Sequence, residues 1–386
     1  MAISSRIAFV RKSGIREIFD LAQEIPNTIS LGIGEPNFKT PKFIDEAAKK
    51  AIDEGFDKYT LNIGIPELRQ QISSKLKREN NIEADPKTEI IVTAGATQAI
   101  FLLMYCLLEQ GDEVLLPTPA FTAYEYSARL AGGKPVQCPL NESEDYEIDF
   151  DLLGKRCSKK AKLLILNSPC NPTGVTYREK EIKKLVEFVS ERGLYLISDE
   201  IYEKYVYDDA KQFSPASSKE FKNRIVTVNG FSKTFGMTGW RLGYAVANEE
   251  IISALTRFNM YNSVCANSIA QKAGVAALEG SMGFFIPILK QYNKARNSMC
   301  KYLDELSLSY AAPSGAFYIF PDISSISKDS LHYCKGLLAE EHVATVPGSS
   351  FGTVGEGHIR LSYSVDENLL IIALEKMKKF NERFRK

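Results

Sequence analysis

Short apolar segments alternate with helical ones between positions 41 and 241, and this alternation constrains the fold more than any other feature. The helical stretches repeat apolar residues every three or four positions, and the strand-like segments are EIIVTAG, VLLP, KPVQC, KLLILN, LYLISDE, RIVTVNGF and LGYAVAN. Such alternation is typical of a mainly parallel sheet covered by helices on both faces. Ligands of these sheets bind at the C-terminal ends of the strands. Polar residues that directly follow a strand are therefore candidates for a site.

The pattern changes in the second half of the chain, which predicts a second domain. Helices dominate from Glu249 to about position 306, and FYIFPDI, VATVPG, HIRLSYS and a charged final helix follow. A chain of 386 residues is also too long for one compact core. We expect a large α/β domain over residues 41–282 and a smaller α+β domain over 283–386. Residues 1–40 precede the sheet and are expected to join the small domain.

The composition excludes several classes of protein. Lys plus Arg equals Asp plus Glu at 48 each, so no long-range field is available to attract nucleic acid or an anionic membrane. The first residues do not resemble a signal peptide, and no uncharged apolar stretch approaches about 20 residues. Seven cysteines without a CxxC pair predict reduced thiols and a cytoplasmic location. The three histidines lie near the C-terminus, so we expect neither a metal site nor a histidine triad.

Two strand ends carry residues suited to an anion or to a rigid ligand contact. The segment GATQ at 95–98 joins a strand to a helix, and its small residues let backbone N–H groups approach a phosphate. Taken alone, such a segment is more often a plain strand-to-helix turn, because glycines are common there. The loop NSPCNPTG at 167–174 is stiffened by two prolines, and its Asn171–Pro172 bond could be cis. The loop could present the amide of Asn171 to a ligand, or it could be only a turn.

Charged residues end two further strands. Asp199 follows the apolar strand LYLI, and a carboxylate there needs a cation or hydrogen-bond donors, unless it only caps a helix. Lys233, in GFSKTFGMTGWR, is surrounded by small and apolar residues. A desolvated lysine has a lowered pKa and can act as an amine nucleophile, although most lysines are solvated surface charges.

Two arginines complete the candidate set. Arg241 lies eight residues after Lys233 and offers a fork suited to a phosphate. Arg360, in HIRLSYS, either points into solvent or clamps a carboxylate with two hydrogen bonds. The combination of a phosphate cradle, a carboxylate for a pyridinium nitrogen and a lysine for an aldehyde matches the needs of pyridoxal 5'-phosphate (PLP).

The order and spacing of NSPCNPTG, SDEIY and FSKTFGMTGWRLGY resemble those of the class I/II aminotransferases of PLP fold type I, the aspartate aminotransferase family. LGIGEPNF near the N-terminus and Gly315–Tyr318 near the C-terminus also resemble family segments, so the likeness covers essentially the whole chain. Archaeal-type aspartate and aromatic aminotransferases look most similar. The resemblance implies transfer of an amino group from an L-amino acid, aspartate or aromatic, to 2-oxoglutarate by a ping-pong mechanism.

Carried over by position, the resemblance implies roles for individual residues. Lys233 would form the aldimine with PLP and later move the proton, while Asp199 would pair with the pyridinium nitrogen. The remaining cofactor contacts would come from Tyr202 and Asn171 on the ring oxygen, Phe121 stacked on the ring, and Arg241 with the backbone of Ala96 and Thr97 on the phosphate. Arg360 would hold the substrate carboxylate, helped by the backbone of Gly34 and by Asn171. Tyr59 would reach the phosphate in the neighbouring subunit of a homodimer.

Departures from the family pattern leave the amino donor open. Gly230 stands where relatives often carry a phosphate-binding hydroxyl, and Phe121 where aspartate-specific members often carry Trp. Thr97 occupies the position of a lysine that reads a distal carboxylate in some members. FNMYNSVCANS lacks the neighbour-subunit arginine found in others. A carbon–sulfur lyase and an aminotransferase for another donor, such as alanine, are the alternatives. A non-catalytic regulator would need a damaged site, and a dehydrogenase would need a GxGxxG after the first strand.

Overall fold

The computed structural model describes residues 4, 7, 9–10 and 14–384. The remaining positions of the predicted 1–40 segment, namely 1–3, 5–6, 8 and 11–13, lie outside the described residues, as do 385–386. The strands are β1 (Ile29–Ser30), β2 (Ile90–Thr93), β3 (Glu113–Thr118), β4 (Lys134–Pro139), β5 (Ala161–Asn167), β6 (Tyr195–Asp199), β7 (Ile225–Gly230), β8 (Gly243–Val246), β9 (Tyr318–Ile319), β10 (Val343–Ala344), β11 (Val346–Pro347) and β12 (Ile359–Ser362).

Helices make up most of the remaining regular structure. They are α1 (Gly14–Glu24), α2 (Lys42–Asp53), α3 (Pro66–Lys75), α4 (Ala96–Leu107), α5 (Thr122–Leu130), α6 (Phe150–Arg156), α7 (Glu179–Glu191), α8 (Glu249–Asn262), α9 (Ser268–Glu279), α10 (Phe285–Glu305), α11 (Ser330–Glu341) and α12 (Glu367–Phe384). Helix α7 illustrates why they form. Its apolar side chains recur at 182, 185, 186 and 189 and are buried along one face. The Glu181 carboxylate accepts a hydrogen bond from the Arg178 backbone N–H at its start.

A seven-stranded sheet forms the centre of the molecule, in the order β2-β8-β7-β6-β5-β3-β4. Strand β8 pairs antiparallel with both of its neighbours, and the pairs from β7 to β4 are parallel. Helices α2, α3, α6, α7 and α9 cover one face of the sheet, and α4, α5 and α8 cover the other. The predicted fold, a mainly parallel sheet between helical layers, is therefore confirmed.

A separate apolar core lies beside the sheet and draws on both chain ends. Strand β1 pairs in parallel with β10, and β11, β12 and β9 form a small antiparallel sheet. Ile18 of α1 packs in this core together with residues of α10, α11 and α12. These contacts support the proposal that residues 1–40 join the C-terminal domain, while the boundaries at 40 and 282 stay a prediction. Within the segment FYIFPDI, Tyr318–Ile319 forms strand β9, and Asp322 adds an isolated antiparallel bridge to His358.

The segment after β6 joins the two cores. Tyr202, Tyr205 and Tyr207 follow the end of the large sheet but pack in the core built from the chain ends. The Tyr205 hydroxyl donates a hydrogen bond of 2.8 Å to the Lys233 carbonyl, which lies after β7. The strand ends of the large sheet are therefore held directly against the smaller core.

Among the described residues, no single helix is both long and apolar enough to cross a membrane. Ser268–Glu279 and Met282–Glu305 reach that length and composition only when taken together, and they are bent by 82° at the break between them.

Candidate active site

A cavity of about 520 Å³ lies at the C-terminal edge of the large sheet, facing the smaller core. Strands β2, β3, β5, β6 and β7 end at this edge. Strand β8 begins there because it runs in the opposite direction. Ten of the eleven residues predicted for the site line the cavity: Gly34, Ala96, Thr97, Phe121, Asn171, Asp199, Tyr202, Lys233, Arg241 and Arg360.

Lys233 directs its amine into this cavity from the turn after β7. Its Nζ donates a hydrogen bond of 2.5 Å to the carbonyl of Gly34. Burial lowers the pKa of Lys233 to about 8, and the nearby cations Arg360 and Arg241 act in the same direction, against the opposing charge of Glu35. A larger fraction of this amine is therefore neutral near pH 7 than for a solvated lysine, and a neutral amine is nucleophilic.

Asp199, at the end of β6, is a buried carboxylate with only 4% of its surface exposed. Its two oxygens accept hydrogen bonds from the Tyr124 hydroxyl at 2.8 Å and from the Ile201 backbone N–H at 3.2 Å. Burial raises the pKa of Asp199 to about 6, and the two hydrogen bonds oppose that rise. The ionised Asp199 carboxylate therefore destabilises the folded protein when no ligand is bound. A cationic partner in the cavity would stabilise it.

Tyr124 is a site residue that the sequence analysis missed. It lies three positions after Phe121, and both side chains line the cavity. The ring centroids of the two residues are 5.8 Å apart in an edge-to-face arrangement. Tyr124 stands in the first turn of α5, which begins directly after Phe121, so the start of that helix could have indicated Tyr124 once Phe121 was chosen.

Arg360, on β12, is 2% exposed and holds a fixed orientation. Its guanidinium donates to the Asn171 side-chain oxygen at 3.0 Å and to the Gly32 carbonyl at 2.6 Å. The guanidinium also lies 4.5 Å from the Tyr318 ring centroid. Its Nε–H has no hydrogen-bond partner among the described residues. No carboxylate of the described residues pairs with this cation, so its free donor is suited to receive a carboxylate from a ligand.

Tyr202 and Tyr318 meet in the wall beside Arg360. Both rings are buried, and their hydroxyls share a hydrogen bond of 2.9 Å. Only 2.9 Å separates the Tyr318 hydroxyl from the place where a β-carbon at Gly34 would stand. A side chain at position 34 would therefore displace this tyrosine pair from the wall.

Arg241 and the start of α4 form a positively charged corner. Helix α4 begins at Ala96 after Gly95, which has a φ of +82° and no side chain to cap the helix. A β-carbon at Gly95 would stand 2.6 Å from Arg241 Nη2, so glycine is required for this approach. Arg241 itself adopts a φ of +53° and donates to the Thr238 carbonyl at 3.0 Å. The helix N-terminus and the guanidinium together favour a phosphate group.

Gly230 and Ser232 differ in their relation to the cavity. Ser232 lines it. Gly230 is packed closely, because a β-carbon there would stand 3.0 Å from the Leu242 carbonyl and 3.2 Å from Ile201 Cδ1. A hydroxyl is thus present in the wall at Ser232 although position 230 has none.

Arg16, a second missed residue, enters the cavity wall from α1 among apolar neighbours that include Phe19 and Ile33. Its guanidinium lies 5.0 Å from the Phe19 ring centroid, and its Nε is 2.8 Å from the Asp20 carboxylate. No local signal singles out Arg16 in the sequence, because α1 reaches the cavity only through the packing of the chain ends.

Tyr59 is the one predicted site residue that lies outside the cavity wall. It is 85% exposed. This placement leaves its implied contact with a neighbouring subunit as a prediction.

Asn171–Pro172, which the sequence allowed to be cis, is cis, and so are Thr118–Pro119 and Ser168–Pro169.

A mainly parallel sheet whose strand ends present an amine, a buried carboxylate and an anion corner defines the class of α/β enzymes that hold a phosphorylated ligand at the sheet edge. Residues 26–377 match the family described as aminotransferase class I and II. The chain belongs to this family and is an aminotransferase.

Individual relatives agree over almost the full length. Aspartate aminotransferase of Pyrococcus abyssi is 46% identical over 98% of both chains. Aromatic-amino-acid aminotransferase 2 of Thermococcus litoralis is 43% identical, again over 98% of both chains. The crystal structure of an aromatic aminotransferase from Pyrococcus horikoshii is 44% identical, with a TM-score of 0.90 over 95% of this chain and 99% of that one.

Proposed function

We propose that this aminotransferase uses PLP to move the amino group of aspartate or an aromatic amino acid to 2-oxoglutarate by a ping-pong mechanism. The observation that carries the proposal is the partly buried Lys233 amine, with its pKa lowered to about 8, in one cavity with the buried Asp199 carboxylate. The names of the relatives, which include both aspartate and aromatic aminotransferases, support these two donor classes.

The residues present fit PLP in three separate ways. The corner of Gly95 and Arg241 suits the phosphate, since a side chain at Gly95 would fill it. Asp199 supplies a buried carboxylate that lacks a cationic partner within hydrogen-bond distance among the described residues. Lys233 supplies the amine for the aldehyde carbon. When bound, PLP acts as the electron sink that makes the substrate α-proton acidic.

The cofactor contacts that we assign follow from the cavity wall. Arg241, with the backbone of Ala96 and Thr97, would bind the phosphate, and Phe121 would stack against the ring. Asp199 would keep the ring nitrogen protonated. Tyr202 and Asn171 would donate hydrogen bonds to the ring oxygen. The Asn171 side-chain oxygen accepts from Arg360, and the Tyr202 hydroxyl shares a hydrogen bond with Tyr318, whose ring contacts the Arg360 guanidinium.

Substrate orientation falls to Arg360 in this proposal. Its buried guanidinium would bind the α-carboxylate, which fixes the α-carbon near the Lys233 amine. The Gly34 backbone borders the same space and already accepts a hydrogen bond from Lys233 Nζ. Neutral Lys233 would remove the α-proton as general base and then return a proton as general acid.

The proposal also includes a homodimer in which Tyr59 of one subunit reaches the cofactor phosphate in the neighbouring site. Tyr59 is outside its own cavity and 85% exposed, which leaves its hydroxyl available to another chain. Size-exclusion chromatography with light scattering on wild type and Tyr59→Phe tests the assembly. Mixing Tyr59→Phe with Lys233→Ala tests the sharing, because a hybrid dimer then contains one site that carries neither change.

The experiment for the main proposal measures L-glutamate formed from 2-oxoglutarate with aspartate, phenylalanine, alanine or cysteine as donor. Transfer requires glutamate and one 2-oxo acid in equal amounts, together with loss of the cofactor's visible band when donor is added alone. Release of pyruvate, ammonia and sulfide from cysteine without glutamate would identify the carbon–sulfur lyase instead. Glutamate formation from alanine alone would reject the aspartate and aromatic assignment but keep the enzyme class.

A further inference from the structure

A histidine and two carboxylates meet away from the cavity, between the large sheet and the smaller core. The ligand atoms of Glu142, Asp322 and His358 all lie within 4.8 Å of one another, and we call these three residues the seam cluster. Asp322 and His358 face each other across an antiparallel bridge, and Glu142 reaches them from the 3₁₀ turn after β4. His358 Nε2 lies 2.7 Å from the Glu142 carboxylate.

The His358 ring is held so that its Nε2 atom points at the carboxylates. Its Nδ1 lies 3.3 Å from the Glu356 carbonyl, and its ring stacks on Phe320 with centroids 5.1 Å apart and planes 10° from parallel. Metal-binding histidines typically donate the second ring N–H to a carbonyl or a carboxylate in this way. The arrangement leaves the Nε2 lone pair available to a ligand once the proton shared with Glu142 is released.

Tyr146 provides an independent observation at the same place. Its side chain is buried, with 2% of the residue exposed, and its hydroxyl has no hydrogen-bond partner among the described residues. Burial raises the pKa of Tyr146, and the charges of Glu142 and Asp322 act in the same direction. Buried hydroxyls are normally hydrogen-bonded, and a water molecule held by a cation would supply the missing partner.

We propose that the seam cluster binds one divalent cation of the zinc type, with Glu142, Asp322 and His358 as ligands and water in the remaining position. One imidazole nitrogen, two carboxylate oxygens and an open position form a ligand set that Zn²⁺ accepts. A tetrahedral zinc ion spaces its ligand atoms about 3.3 Å apart, so the Glu142 carboxylate must move by about 0.6 Å from His358.

The site departs from the expectation drawn from the small number of histidines. Sequence spacing does not reveal it, since 180 residues separate Glu142 from Asp322 and only the pairing around β12 joins Asp322 to His358. The cation would tie the turn after β4 to the strand that carries Arg360, two residues beyond His358. Its effect would therefore be on the joining of the two cores rather than on the reacting atoms.

The test is isothermal titration of Zn²⁺ into chelator-treated holoenzyme at pH 7.5, with Co²⁺ absorbance as a second probe of coordination. Wild type should bind one ion per chain, and His358→Gln and Asp322→Asn should each weaken binding at least about tenfold. His332→Gln is the matched control, because it removes an exposed histidine outside the seam cluster. Tyr146→Phe should weaken binding less than the ligand changes do.

Circular dichroism and the cofactor absorbance confirm that each variant is folded before its titration. If His358→Gln fails to fold, Asp322→Asn and Glu142→Gln provide the same comparison. Absence of saturable binding in wild type would overturn the proposal. Equal affinity in wild type, His358→Gln and Asp322→Asn would show an adventitious ion only and would also overturn it. Neither result touches the proposed transamination, which is measured separately.

Discussion

The Tyr124 hydroxyl donates a hydrogen bond of 2.8 Å to the carboxylate of Asp199. In the part of the chain that the structure describes, it and the Ile201 N–H are the two donors that stabilise this buried charge. Without either donor the pKa of Asp199 would rise further above its value of about 6. The proposed pairing of Asp199 with a protonated ring requires the ionised carboxylate. Tyr124 therefore sets the lower end of the pH range in which the proposed cofactor is held.

Tyr124→Phe should raise the lowest pH at which the protein holds PLP. Loss of one hydrogen bond to a charged group should raise the pKa of Asp199 by about one unit. Between pH 5.5 and 7.5 the variant should bind PLP more weakly than wild type, and the two should converge above pH 8. Spectroscopic titration of PLP into cofactor-free protein at each pH provides the measurement. Parallel curves without convergence would mean that Tyr124 acts only through packing.

Asp199→Asn should have opposite effects on stability and on activity. The pKa of Asp199 is raised from 3.8 to about 6, so in the folded protein the ionised carboxylate carries a cost that is complete above pH 6 and absent below pH 3.8. The cofactor-free variant should therefore be more stable by up to about 3 kcal/mol at pH 7.5 and unchanged near pH 4. Urea unfolding at both values tests this.

The activity of Asp199→Asn and Asp199→Ala should fall by about 10²-fold or more, because the proposed cationic partner loses its counter-charge. Glutamate formation by the PLP-saturated variants is the measurement. Rates equal to wild type would show that Asp199 has only a structural role.

Lys233→Ala should abolish turnover while leaving the fold intact. Among the described residues, Lys233 is the only lysine that lines the cavity. Its replacement removes the proposed nucleophile and general base. The expected loss exceeds about 10⁴-fold in kcat. Lys183→Ala, on the exposed side of α7, is the matched control. Activity above a trace in Lys233→Ala, with Lys183→Ala normal, would contradict the proposed chemistry.

Arg360→Ala should act mainly on substrate affinity. Its guanidinium is 2% exposed, and loss of a buried carboxylate clamp costs roughly 2–5 kcal/mol. KM for the amino donor should therefore rise by more than about 30-fold. Arg360→Lys keeps the charge but not the fork and should recover only part of the loss. Steady-state kinetics decide between these outcomes, and an unchanged KM in Arg360→Ala would reject the clamp.

Arg16→Leu should separate acidic from aromatic donors. Arg16 is the cation in the cavity wall to which the proposal gives no other role, and Phe19 and Ile33 make its surroundings apolar. We expect KM for aspartate to rise about tenfold, a change of about 1.4 kcal/mol, and KM for phenylalanine to fall or stay the same. Arg192→Leu is the control, because Arg192 is an exposed arginine directly after α7 and does not line the cavity. Equal changes for both donors would exclude Arg16 from donor selection.

Much of the fold and the strand-end residues could be predicted from the sequence because both depend on local patterns. Apolar runs predict the strands, and each proposed cofactor residue in the cavity wall follows or precedes one of them closely. The hydrogen bond from Tyr124 to Asp199, by contrast, joins α5 to β6 across the sheet edge. Arg16 reaches the cavity only because the chain ends pack together, and no local pattern encodes that contact.

Strand β9 is shorter than its apolar sequence alone would suggest. FYIFPDI opens with the continuous apolar run expected of a buried strand, yet only Tyr318 and Ile319 form a ladder, and Asp322 adds a single bridge to His358. Phe317 and Phe320 are buried in separate apolar cores. Tertiary packing sets the length of β9, because the apolar residues of this segment pack into two different cores. The conformation of such a segment is set by its neighbours rather than by its own composition.

The pairing of β1 with β10 has a consequence for how donor preference can evolve in this chain. The cavity-wall groups proposed to hold the cofactor stand beside strands of the large sheet, whereas Arg16, Gly34 and Arg360 come from the two chain ends. Substitutions in the terminal segments can alter which amino acid is accepted while Lys233 and Asp199 keep their places. The residues that carry out the chemistry and those that select the amino acid lie in different parts of the chain and can change independently. A new substrate preference can therefore arise while the catalytic residues stay the same.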